Sequence, residues 1–104
     1  MNTYTPDRWV VLEFDYNGDD IRKVFAGWYG GYAGSDSWKL SSGITETKEF
    51  EDRYEFLNES GSLYICYKTG YGMGGYQSAI YYQWQTEVAK SDKVTMKLIE
   101  DYDV

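Results

Sequence analysis

Hydrophobic and polar positions alternate clearly from Arg8 to Tyr16 (RWVVLEFDY). Val10, Leu12, Phe14 and Tyr16 share one face, and Glu13 and Asp15 point the other way. Period-two alternation of β-branched and aromatic residues predicts a half-buried strand. Asn17-Gly18 follows at once, a pair suited to the tight hairpin turn whose two central residues need positive φ. The return strand is predicted from Ile21 to Tyr29. A glycine-rich loop, GGYAGSDS, then leads to a third strand that begins at Trp38 (WKLSSGITETKEF) and fades into the acidic turn EFED. Gly43 marks a bulge or bend within it. Arg53 to Leu57 and Leu63 to Lys68 read as another hairpin around NESGS.

The period then changes. After GYGMGG, the residues Tyr76, Ile80, Trp84 and Val88 recur every fourth position, with Tyr81 beside them. That stripe predicts a helix over about residues 75 to 90, ending near Ser91-Asp92. Val94, Met96 and Leu98 alternate with Thr95 and Lys97 as a last strand. Residues 1–7 read as a polar lead containing Pro6, and the acidic tail 100–104 as frayed. The predicted fold is α+β in a single domain, residues 1–104. It is a meander of hairpins forming an antiparallel sheet of five or six strands, with one C-terminal-half helix packed on a face and a strand after it.

Composition sharpens the picture. Twelve Tyr, four Trp and four Phe supply much of the apolar material. Such rings serve a small core or a binding surface equally well. Trp28 and Trp38 read chiefly as plugs at the ends of the sheet. The formal charge is −7, from 17 acids and 10 bases, and the longest basic run is Arg22-Lys23. Acidic surfaces repel nucleic-acid phosphate and anionic membranes, and attract basic proteins. No direct nucleic-acid or membrane partner is expected. A single cysteine, Cys66, excludes an internal disulfide and favours a reducing, cytoplasmic compartment. The N-terminus lacks the pattern of a signal peptide, and no apolar run approaches the ~20 residues of a membrane span.

Histidine is absent. That removes Ser-His and Cys-His dyads and any Cys/His zinc site within one chain. No spacing singles out a pair among the carboxylates, so no catalytic residue, cofactor or metal is expected. DYNGDD at 15–20 superficially suggests a calcium loop, but its sixth and twelfth positions are Asp20 and Ala26 rather than Gly and Glu. Gly70, Gly72 and Gly75 fit G-x-G-x-x-G between a predicted strand and helix. The preceding meander, the short remaining length and the distance to Glu100 argue against a dinucleotide fold. A Gly-rich turn into the helix is the simpler reading, with an anion site at the helix N-terminus as the alternative. Cys66, mid-strand, reads as a buried small hydrophobe.

Two stretches qualify as partner-binding surfaces. The aromatic-glycine loop between Trp28 and Trp38 offers Tyr29, Tyr32 and Asp36, with Tyr71 as a further anchor. The acidic hairpin offers Glu49, Glu51, Asp52 and Glu55, crowded with Glu46 and Glu59. Alternate strand positions lie about 6.6–6.8 Å apart on one face. A row of carboxylates at that spacing would imitate a nucleic-acid backbone.

KVFAGWYGGYAGSDSWKLSSGI (residues 23–44) and SGSLYICYKTGYGM (residues 60–73) resemble segments of small uncharacterised accessory proteins of tailed bacteriophages. The likeness covers about a third of the chain and brings no catalytic residues with it. It implies a setting, the cytoplasm of an infected cell, where small non-structural proteins often inhibit a host or defence protein. The expected function is therefore a non-enzymatic inhibitor or modulator of such a protein that covers a basic surface, such as one that binds nucleic acid. The alternative is a nucleotide or nucleotide-signal binder using the aromatic loop and the Gly70–Gly75 turn. A structural component is the third class.

Overall fold

The structure, a computed structural model, describes residues 2–30 and 36–100. Its strands are β1 (Thr3–Tyr4), β2 (Arg8–Tyr16), β3 (Asp19–Trp28), β4 (Ser37–Leu40), β5 (Ile44–Glu49), β6 (Arg53–Asn58), β7 (Leu63–Tyr67) and β8 (Val94–Ile99). A short 3-10 turn at Lys68–Gly70 precedes the helix α1 (Gly75–Ala89). The α+β class and the helix in the C-terminal half stand as the sequence predicts. The single sheet does not. The described residues form two four-stranded sheets, ordered β1-β7-β6-β5 and β4-β3-β2-β8.

The division falls inside the stretch read as one third strand. Ser41 ends the run beside β3: its hydroxyl accepts the Val24 N–H at 2.8 Å, and its own N–H donates to the Val24 carbonyl at 2.9 Å. The chain then crosses at Ser42-Gly43 and opens β5 in the other sheet. Added bulk at Gly43 would meet the Glu59 carboxylate and Ile21 at about 3 Å. The polar lead is also partly ordered. Thr3 and Tyr4 pair in parallel with Leu63 and Tyr64, so the first sheet is not wholly antiparallel.

Asn17 and Gly18 take positive φ (55° and 101°) and close the β2–β3 hairpin as predicted. Yet β2 is buried on both faces, not one. Trp9, Val10, Val11 and Leu12 are all within 2% of full burial. One face of the β4-β3-β2-β8 sheet packs Trp9, Val11, Val24 and Ala26 against Tyr54, Phe56, Tyr64 and Cys66 of the other sheet. Its opposite face packs Val10, Leu12, Phe14 and Phe25 against Tyr81 of α1. The order is therefore sheet, sheet, helix. The two sheets cross. β5 lies toward Asp20 and Arg22, β6 and β7 lie over Val24 and Ala26, and Tyr4 of β1 meets Trp28.

The helix docks through a face offset from the predicted stripe. Ile80 and Trp84 pack on the sheet and Tyr81 is buried, but Tyr76 is 48% exposed. Gln77 takes the position the stripe assigned to an aromatic ring. Its amide donates to the Phe25 carbonyl at 2.9 Å, and its side-chain oxygen accepts the Gly74 N–H at 3.1 Å. Both bonds of this buried carboxamide are made within the fold, and they tie the helix start to β3 and to Gly74.

Cys66 is fully buried between the sheets. Burial pushes its thiol far above the ordinary range. Burial, then the neighbouring Tyr4 and Cys66, push the Tyr64 hydroxyl up to about 12. The folded chain keeps both protons where the unfolded chain gives them up. Their contribution to stability is full below about pH 9, the ordinary cysteine value, and is lost as pH rises above it. The melting temperature should therefore fall progressively from about pH 9 to pH 12. Cys66→Ala should delay the onset toward the ordinary tyrosine value of 10. A flat profile over that range would contradict the assignment.

Candidate functional site

The helix covers one face of the central sheet, and the other sheet covers the second. That leaves the outer face of β5, β6 and β7 without a covering element among the described residues. Alternation decides what this face carries. Tyr54, Phe56 and Asn58 point inward and are buried. Arg53, Glu55 and Leu57 point outward, beside Tyr67, Ile65 and Leu63 of β7. Across the hairpin, Lys48 stands opposite Glu55 and Glu46 opposite Leu57.

At the hairpin end this face becomes aromatic. The Arg53 guanidinium lies over the Phe50 ring at 4.2 Å, and Tyr67 is its direct cross-strand neighbour. Phe50 and Tyr67 are 38% and 43% exposed. Arg53 also bonds Glu55 and Asp52, each at 2.9 Å. Those two carboxylates raise the guanidinium pKa, Glu55 first. Arg53 is thereby held over the Phe50 ring, with Tyr67 as its neighbour across the strands. Aromatic residues and arginine are the side chains that dominate interface energetics.

The predicted carboxylates do not form one row. Glu55 faces outward, but Glu49 stands opposite the inward-facing Tyr54 and is paired with Lys68 at 2.7 Å. That hydrogen bond, with the Lys68 charge, holds the Glu49 carboxyl below its ordinary range. Asp52 and Glu55 share Arg53. Among the described residues, Glu46 and Glu51 have no basic side chain within ion-pair distance.

The aromatic-loop residues lie elsewhere. Tyr29 (54% exposed) sits against Gly74, with its N–H on the Asp7 carboxylate at 2.8 Å. Asp36 accepts the Gly30 N–H at 3.1 Å. Both line a cleft at the start of α1 with space of about 10 Å³, room for roughly one water. Tyr32 lies outside the described residues. Tyr71 is engaged within the fold: its ring stacks on Trp9 at 5.3 Å and its hydroxyl donates to the Ile99 carbonyl at 2.9 Å. The glycines of the turn serve close packing. Gly70 abuts the Asp7 carbonyl, and Gly72, at φ 126°, abuts the Arg8 guanidinium.

Phe50 and Tyr67 carry the aromatic end of the open face, and neither is among the residues the sequence singles out. The available signal was Phe50 itself, a large apolar residue between acids in a tight turn. Among the described residues no cluster of three acidic or thiol groups fits a metal ion, and no helix is long and apolar enough to cross a membrane. Compared with protein-family models, curated proteins and solved structures, the chain matches none.

Proposed function

We propose that this protein is a small, non-enzymatic, protein-binding inhibitor or modulator. It engages a partner with a basic surface through the outer face of β5–β7. The observation that carries this reading is the uncovered sheet face, ending in the Phe50–Arg53–Tyr67 cluster and flanked by Glu46, Glu51, Asp52 and Glu55. In the setting implied by the phage resemblance, the partner is a host or defence protein in the bacterial cytoplasm. The aromatic end acts as the anchor, and the net charge of −7 steers encounter.

The test is kinetic, with a partner captured from infected-cell lysate and then purified. Phe50→Ala combined with Tyr67→Ala should raise the dissociation rate by about 30-fold, the equivalent of a hot-spot loss of about 2 kcal/mol. Glu46→Lys with Glu51→Lys should slow association and flatten its salt dependence, since screening acts over about 8 Å at physiological salt. Equal rates for wild type and both variants would overturn the assignment of this face.

A further inference from the structure

Resting on that protein-binding reading, we infer that the partner contributes an extended cationic segment, which adds as a fifth strand along the free edge of β5. The first support is topological. β5 ends its sheet, and no described strand pairs with its outer side. The hairpin closes with the Phe50 N–H on the Arg53 carbonyl at 2.8 Å. In antiparallel pairing, such hydrogen-bonded pairs alternate with non-bonded ones. Lys48 and Glu46 therefore bond toward β6, and Thr47 and Glu49 turn their N–H and carbonyl groups to the open side. Unused strand edges of this kind accept peptides by main-chain hydrogen bonding.

The second support is the space beside that edge. An open groove of about 300 Å³ runs between β5 and the β2–β3 hairpin. Four consecutive residues, Ile44 to Thr47, form one wall, so the strand edge itself borders the groove. Glu13, Asp20 and Arg22 form the other. Because the sheets cross, a strand laid beside β5 would extend that sheet over the end of β2 and β3 that it leaves uncovered.

Charge selects the occupant. Glu13, Asp20 and Glu46 line the groove against the single guanidinium of Arg22, which is paired with Glu13 at 3.0 Å. Lys97 reaches the same Glu13 at 3.8 Å. Among the described residues Asp20 and Glu46 have no basic side chain within ion-pair distance, and they would meet basic side chains from the incoming strand. The bulge between Ile44 and Glu46 limits the regular edge to Glu46–Glu49, a short segment of which Glu46 and Thr47 border the groove.

The probe is a synthetic nine-residue peptide alternating lysine with threonine, added to the full chain. Binding should slow amide exchange at Thr47 and Glu49 at least tenfold. Thr47→Pro removes the outward donor but no bond to β6, a placement that edge strands tolerate. It should weaken peptide binding at least tenfold while the melting temperature stays close to wild type. A peptide N-methylated at alternate residues should bind equally poorly to unaltered protein, which tests the edge without any variant. Unchanged exchange at Thr47 and Glu49 in saturating peptide would overturn the inference. So would a chain that dimerises alone with those amides already protected, since the edge would then serve a second copy. If Thr47→Pro still binds the purified partner while the Phe50 and Tyr67 variant does not, the edge inference fails and the open-face reading stands.

Discussion

Trp9→Ala should destabilise the fold by about 3–5 kcal/mol, the range for emptying a fully buried large aromatic site. Small domains have only about 5–15 kcal/mol in total. Trp9 is fully buried, its indole N–H donates to the Tyr67 carbonyl at 2.7 Å, and its ring meets Tyr54, Phe56 and Tyr71. The cavity would open where both sheets and the segment leading to α1 converge. Trp9→Phe should cost clearly less, because a ring remains and chiefly one hydrogen bond is lost, about 1 kcal/mol on average. Thermal melts of the two variants check this. Equal melting temperatures for Trp9→Ala and wild type would show that the sheets do not pack through this residue.

Gly27→Ala is the second large effect, and it acts on the helix. A methyl group at Gly27 would overlap the Gln77 carboxamide, with the side-chain carbon 2.8 Å away. Overpacking costs about 1–3 kcal/mol. Displacing Gln77 would also break its bonds to Phe25 and Gly74, leaving buried groups unpaired at about 1–3 kcal/mol more. The double variant Gly27→Ala with Gln77→Ala should recover part of that loss, since the smaller side chain makes room for the methyl. Denaturant titration of all four forms would measure the coupling. Strict additivity would refute the clash.

Much of this architecture is legible in the sequence where local rules act alone. Asn17-Gly18 specifies its hairpin because the turn demands positive φ from both residues. Val94 to Leu98 alternate as a strand because Met96 and Leu98 pack on the side of the helix while Thr95 and Lys97 face solvent. The pattern misleads where a second layer intervenes. Trp9 and Val11 break the simple alternation because β2 is covered on both sides, and the apolar run from Trp9 to Leu12 was its trace. Ser41–Gly43 looked like the middle of a strand because a crossing between sheets needs no proline. Gln77 was hidden because a polar residue gives no apolar signal even when buried. The acids of the β5–β6 hairpin were visible as a cluster, but their sorting onto two faces depends on the register that pairs Glu49 with Tyr54 and Lys48 with Glu55. Phe50 and Tyr67 gain meaning only through Arg53, which lies over the Phe50 ring and pairs in register with Tyr67.

The position of β2 has a consequence for the newborn chain. It is bonded to β3, which follows directly, and to β8, about 80 residues later. During synthesis its second edge stays open until Ile99 has been made. Pairings that distant in sequence slow folding, because loop closure must come before the contacts that reward it. An apolar strand left unpaired meanwhile invites association with other chains. Yield in a living cell should therefore respond to chaperone supply and growth temperature more than the stability of the finished fold would suggest.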